Sequence, residues 1–129
     1  LFIYILNSIS MQKGGSVYIM TNNHNTTLYI GVTSNLPGRI MQHREKAYPN
    51  SFTARYNLFK LVYFEAFHSI EEAIAREKQL KAGSRGNKEA LIAAFNPEWI
   101  DLFDEVKYWQ GRTRRDIKKA MRLSSLYRY

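Results

Sequence analysis

The chain has 129 residues, 45% of them hydrophobic, enough for one globular domain with a modest core and too apolar for a disordered chain. It contains no cysteine, which excludes disulfides and thiolate metal sites and is compatible with a reducing compartment. The net charge of +8 points to polyanions, nucleic acid first and an acidic membrane surface second.

The opening LFIYIL is apolar, but the uncharged stretch to Ser10 is too short to span a bilayer. It has neither the basic n-region nor the small-residue cleavage site of a signal peptide. Met11 stands just before the first organised strand, so residues 1–10 are expected to lie outside the domain, with Met11 as the natural start. Mass spectrometry of the native N-terminus checks this; a peptide beginning upstream of Met11 refutes it.

SVYIMT (16–21) and LYIGVT (28–33) are β-rich runs separated by NNHNT, a cluster of turn formers, and together they predict a hairpin with a long loop. SNLPGRIMQHREK predicts a helix capped by Ser34 or Asn35, with Pro37 in the first turn where its missing N–H is harmless. Gly38 weakens that helix by about 1 kcal/mol relative to alanine, so packing has to hold it. AYPNSFTARYN (47–57) is expected as a loop, and LFKLVYFEAF (58–67) as the third strand. SIEEAIAREKQLKAG is a helix with a capping box in Ser69 and Glu72 and a stop at Gly83. NKEALIAAF is a shorter helix ending before Pro97, and PEWIDLFDEV adds a further turn or two.

The order β-β-α-β-α-α predicts an α+β domain, a small three-stranded antiparallel sheet flanked by helices, over residues 11–104. Residues 105–129 form a basic C-terminal tail with a candidate final helix. From Arg112 to Tyr129 seven of the nineteen basic residues face one acid, Asp116, and both a solvated extension and nucleic-acid contact fit such a tail.

Two helices carry polar residues where apolar ones belong. Glu77 follows Ala73 by four and Ile74 by three and precedes Leu80 by three, inside the apolar stripe. A carboxylate there is costly unless it pairs with a base or binds a cation. His43 follows Arg39 by four and falls beside Leu36, Ile40 and Ala47. Each has a bland explanation: an edge ion pair for Glu77, a satisfied core histidine for His43, a surface charge for Arg39. Their chemistry is nonetheless mutually consistent. Glu suits Mg²⁺, Arg offers a planar fork to a phosphate, and His and Tyr move or position protons. These are the parts for hydrolysing a phosphodiester with one metal ion.

At SVY (16–18), LYIG (28–31) and VTSNLPGRIMQH (32–43) the chain resembles the GIY-YIG nuclease superfamily, and within it the small single-domain bacterial group. The likeness continues through YNLFKLVYFEAF, EEAIAREKQLK, KEALI and NPEWIDL. It implies a metal-dependent DNA endonuclease using Mg²⁺ or Mn²⁺, one ion, and it assigns site residues by position. The two motif tyrosines fall on Tyr18 and Tyr29, the helix arginine on Arg39, a histidine of many members on His43, and the metal-binding glutamate on Glu77. Arg39 and His43 then share a helix face because both point into one phosphate site. Tyr18 is the expected general base, with Tyr29 and His43 assisting, which requires the site to lower a phenol pKa near 10. Ser16 departs from the family by replacing the first motif's glycine.

Lys78, Lys81 and Lys88 are candidate DNA-phosphate contacts, although a solvated charged face fits each equally. Asn96 in NPEW is expected to cap the turn that follows. The reading implies DNA as partner, no membrane and a cytoplasmic location. Single-stranded, branched and duplex substrates stay open, as do repair, recombination and processing. A nucleic-acid-binding module with the nuclease fold and little turnover is the other function class, and a tail-bound membrane-surface protein a third.

Overall fold

A seven-residue strand, β1 (Gly15–Thr21), forms the middle of a three-stranded sheet, flanked by β2 (Leu28–Thr33) and β3 (Lys60–Phe67), both antiparallel to it. The structure, a computed structural model, describes residues 14–107; the expected N-terminal extension and most of the basic tail, with its candidate final helix, lie outside them. Every residue of β1 except Ser16 is buried, which is why VYIM reads as an unbroken apolar run and does not alternate.

Five helices complete the described chain: α1 (Leu36–Arg44), α2 (Phe52–Arg55), α3 (Ile70–Ala82), α4 (Arg85–Phe95) and α5 (Phe103–Val106). The α+β class, the three antiparallel strands and the order of the main helices are as expected from the sequence. Asn35 is the cap of α1, its Oδ1 accepting from the Gly38 amide at 3.2 Å. Ser69 caps α3, accepting from the Glu72 amide at 3.2 Å.

One local expectation needs correction. Residues 47–57 are not all loop, because α2 forms within them, capped by Ser51. One turn is too short to show helical periodicity. Gly83 ends α3 as expected, in extended backbone (φ −77°, ψ 167°). Directly after it, the Ser84 hydroxyl accepts from the Asn87 amide at 3.1 Å and starts α4.

The sheet separates two apolar layers. Tyr18 and Met20 point to one face, packed with Leu36 and Ile40 of α1, Phe64, and Leu102 and Val106. Val17, Ile19 and Ile30 point to the other, under Ala73 and Leu80 of α3 and Ile92 of α4. Burying Leu36 and Ile40 stabilises by about 1.5–3 kcal/mol each, which offsets the glycine in α1. Between Ile19 and Met20 the register with β3 slips, Ile19 opposing Tyr63 and Met20 opposing Leu61. Val62 and Tyr63 therefore both serve the α3 layer, while Leu61 and Phe64 serve the α1 layer. Asn96 is buried and donates to the carbonyls of Val62 (3.2 Å) and Ile100 (2.8 Å), clamping the NPEW turn to β3. Its role here is that of a cap.

Candidate active site

The register of the hairpin builds the site. Tyr18 lies opposite Gly31, and Met20 opposite Tyr29, so Tyr18, Tyr29 and the open glycine share the face covered by α1. Gly31 is there because Tyr18 needs its space: a Cβ at Gly31 would stand 2.3 Å from both Cζ and the hydroxyl oxygen of Tyr18. The tyrosine ring runs across the glycine and ends at α1.

There it meets His43. Leu36, Ile40 and His43 form the buried stripe of α1, while Ala47, past the end of the helix, is exposed. His43 is 6% exposed, and its Nε2 lies 2.7 Å from the Tyr18 hydroxyl. On the other side Nδ1 lies 2.8 Å from the hydroxyl of Thr53, from α2. Tyr29 packs edge-on to the imidazole with ring centroids 5.5 Å apart, and stacks against Phe52 at 6.2 Å. Arg39, one turn before His43, is half-buried. Its Nη1 donates to Gln42 Oε1 at 3.2 Å, and its guanidinium lies 5.7 Å from the Tyr48 ring centroid. Arg39, His43, Tyr29, Tyr48, Phe52 and Thr53, with Ser51, line an open cavity of about 200 Å³.

The electrostatics differ from the expectation for a tyrosine base. Burial, then the neighbouring Tyr29, pushes the Tyr18 phenol above its ordinary value, and the Arg39 guanidinium beside it only partly opposes this. The phenol therefore rests protonated. Burial and then the charge of Arg39 lower His43 to about 4, so the imidazole is neutral near pH 7 and one of its nitrogens is an acceptor. Tyr18 and His43 thus form a hydrogen-bonded pair that carries no charge at rest, and both shifts hold it in that state.

The structure brings together Tyr18, Tyr29, Arg39 and His43. Glu77 stands apart, on the helix that covers the opposite face of the sheet. It shares the inward side of α3 with Ala73 and Leu80, whereas Ile74 is exposed and leaves the stripe. Its carboxylate pairs with Lys81 at 3.0 Å. A larger groove of about 600 Å³ runs along edge strand β2, lined by Leu28, Tyr29, Ile30, Phe52, Lys81, Arg85 and Lys88 among others. It joins the side of the sheet bearing Tyr29 to the side bearing α3. The groove's cations already have partners within the fold: Lys81 pairs with Glu77, and Lys88 donates to the Gly83 carbonyl at 2.6 Å. Arg85 holds Glu89 and the carbonyls of Asn25 and Thr26. Lys78 is exposed. Among the described residues no group of three or more His, Cys, Asp or Glu is clustered to hold a metal, and no helix is long and apolar enough to cross a membrane.

Sequence reasoning did not find Tyr48, Ser51, Phe52, Thr53 or Arg85. The first four sit in a segment with no periodic pattern, expected as a loop, where the structure shows a one-turn helix capped by Ser51. Arg85 fell outside the helix expected from NKEALIAAF, which in the structure begins two residues earlier, at Arg85.

Comparison with known proteins adds the following. A family model described as the GIY-YIG catalytic domain matches residues 14–90. A UPF0213 protein of Syntrophus aciditrophicus is 37% identical over 82 residues, which cover 64% of this chain and 92% of that protein. A UPF0213 protein of Clostridium perfringens is 40% identical over 72 residues, 53% of this chain and 72% of that one. The solution NMR structure of a UPF0213 protein from Bacillus halodurans is similar with a TM-score of 0.44 and 30% identity, covering 66% of this chain and 88% of that one. The names of these relatives state no activity.

Proposed function

This chain belongs to the GIY-YIG family, and from that premise we propose that it is a metal-dependent endonuclease hydrolysing DNA phosphodiester bonds. The observation that carries the reading is the 2.7 Å contact between the Tyr18 hydroxyl and His43 Nε2, beside a cavity walled by Arg39 and Tyr29. A simple packing role would need neither the arginine nor the opening.

In this reading Arg39 holds the scissile phosphate through its planar fork and stabilises the charge that accumulates in the transition state. Tyr18 would take the proton of an attacking water as its own proton moves to His43 Nε2, which requires substrate binding to uncover a phenol oxygen that is buried at rest. The pair thus acts as general base without a phenolate at rest. The charge of Arg39 is one of the two causes that hold His43 low. A phosphate seated on the guanidinium offsets that charge, so the imidazole gains basicity when substrate is in place. Tyr29 holds the imidazole edge-on and orients it.

Glu77 is the residue that would hold a divalent ion. Its carboxylate is only 16% exposed, while the partner it would give up, Lys81, is 55% exposed and readily displaced. One carboxylate fits Mg²⁺ or Mn²⁺, which keep several waters and take the remaining oxygens from substrate. Bound there, such an ion would supply Lewis-acid stabilisation of phosphate charge. The groove along β2 is the route by which a strand reaches from Arg39 toward α3, with Lys81 and Lys88 as phosphate contacts along it and Lys78 as a further candidate on α3. Tyr48, Phe52 and Tyr56, respectively 55%, 45% and 49% exposed, offer faces on which unpaired bases stack, an arrangement that suits single-stranded or branched DNA.

The test is cleavage of labelled single-stranded, branched and duplex DNA with Mg²⁺ or Mn²⁺, comparing wild type with Glu77→Ala and Tyr18→Phe. Metal-dependent cutting that both substitutions abolish, with circular dichroism unchanged, is the expected outcome. If the wild type binds DNA and never cuts it, the protein is a binding module and the nuclease reading fails.

A further inference from the structure

Thr53 is 1% exposed, yet it carries a hydroxyl where valine would fill the same volume. The hydroxyl has two partners: His43 Nδ1 at 2.8 Å and the Ser51 hydroxyl at 3.2 Å. Its position is set by backbone on both sides. Ser51 caps α2 by accepting from the Ala54 amide at 3.3 Å, and the Thr53 carbonyl accepts from the Leu58 amide at 2.9 Å. A chain of four polar groups therefore runs Tyr18, His43, Thr53, Ser51, from the buried sheet face to the half-buried end of a loop.

Counting protons leaves two directions for that chain. Each hydroxyl donates once, and a neutral imidazole carries one N–H. In one direction Nε2–H points at the Tyr18 oxygen; in the other Nδ1–H points at Thr53 and Nε2 accepts from Tyr18. The surroundings of Tyr18 decide between them. Its ring is enclosed by Met20, Ile40 and Phe64, which offer no acceptor on their side chains; Arg39 beside it has only donors, and the neighbouring Tyr29 hydroxyl both donates and accepts. If Nε2 also donated, His43 and Arg39 would both point protons at one phenol oxygen, and its own proton would be left to the Tyr29 hydroxyl instead of the imidazole 2.7 Å away. With Nε2 accepting, donors and acceptors along the chain match. The charged and titratable groups facing His43 are Arg39 on its own helix, Tyr18 on β1 and Tyr29 on β2; Thr53 and Ser51 on the α2 side are uncharged.

We propose that Thr53 is a positioning residue whose hydroxyl fixes His43 with its proton on Nδ1, so that Nε2 is held as the acceptor for Tyr18. Thr53 acts through His43, as outer-shell partners of functional histidines do. It also makes the segment around α2 part of the site, which explains why a one-turn helix with a serine cap sits there. The consequence for reaction rate rests on the nuclease reading; the tautomer does not.

The experiment uses the full chain labelled with ¹⁵N histidine. Long-range ¹H–¹⁵N correlation near pH 7 reports which ring nitrogen carries the proton, with His43 assigned by loss of its signals in His43→Gln. Wild type and Thr53→Ser are expected to show a protonated Nδ1, and Thr53→Val a proton moved to Nε2, because the acceptor at Nδ1 is gone. In single-turnover cleavage Thr53→Val is expected to lose about 10²-fold in rate with DNA affinity within about twofold, and Thr53→Ser to stay within about threefold of wild type. A wild-type or Thr53→Ser spectrum with the proton on Nε2 overturns the assignment, and so does Thr53→Val keeping it on Nδ1. If Thr53→Val does not fold, the wild-type and serine spectra decide alone. If no protein cuts DNA, the nuclease reading falls while the spectra still judge Thr53.

Discussion

Replacing Gly31 by alanine puts a methyl carbon 2.3 Å from Cζ and the hydroxyl oxygen of Tyr18, where ordinary contact begins at 3.4 Å. The ring would have to retreat by about 1 Å to restore ordinary contact. It has nowhere to go, because Tyr18 and its neighbours Met20, Ile40 and Phe64 are all 0% exposed in one cluster. Overpacking of this kind costs about 1–3 kcal/mol. Moving the ring also breaks the bond to His43 Nε2 and leaves two buried polar groups short of a partner, about 1–3 kcal/mol more. Gly31→Ala is therefore expected to lose about 2–6 kcal/mol in urea denaturation at unchanged slope. If the protein is a nuclease, about 10²-fold in cleavage rate goes with it, as a 1 Å misplacement of a reacting group costs about that much. Gly83→Ala is the control. A Cβ there meets its nearest atom at an ordinary 3.4 Å and φ is negative, so the substitution is neutral or stabilises by about 0.4–1 kcal/mol. If the two alanine variants were equally stable, the reasoning from Tyr18 would be wrong.

The pH dependence of stability has a definite sign. His43 titrates near 4 in the fold and near 6.5 ordinarily, so between those values the unfolded chain binds a proton that the fold refuses. Its contribution is whole above about pH 6.5 and is lost as pH falls toward 4, on the order of 3 kcal/mol in all and about 2 kcal/mol between pH 7 and pH 5. Urea midpoints near pH 7 and pH 5 should separate further for wild type than for His43→Gln, and equal separations would refute this. Arg39→Lys keeps the charge but loses the planar fork, so cleavage should fall about 10²-fold while the urea midpoint stays within about 0.5 kcal/mol of wild type. Unchanged cleavage would mean that Arg39 does not grip the phosphate. Asn96→Ala removes buried bonds to Val62 and Ile100 and is expected to destabilise by about 2–4 kcal/mol without altering the His43 signals in NMR. A change at His43 would show that the NPEW turn reaches the site after all.

The strands, the caps at Asn35 and Ser69 and the order of the main elements were legible in the sequence, because each is written within a few residues as alternation, periodicity or a capping side chain. The oddity of His43 and Glu77 was legible for the same reason, as polar residues at apolar positions of a helix. The motif spacing that marks the family is likewise a property of the chain read in order. What the line of residues does not contain is pairing. Only strand register sets Tyr18 against Gly31, and only the slip between Ile19 and Met20 decides which side chains of β3 serve which layer. Glu77 and His43 looked alike in the sequence, yet their helices cover opposite faces of the sheet, which no local pattern states. Thr53 meets His43 across ten residues, through a helix one turn long, too short for any period to announce it. The protonation state of the site was decided last of all. The motif called for a phenol made more acidic, and burial on the sheet raised it instead, because desolvation depends on everything packed around the ring and not on the residues beside it in the chain.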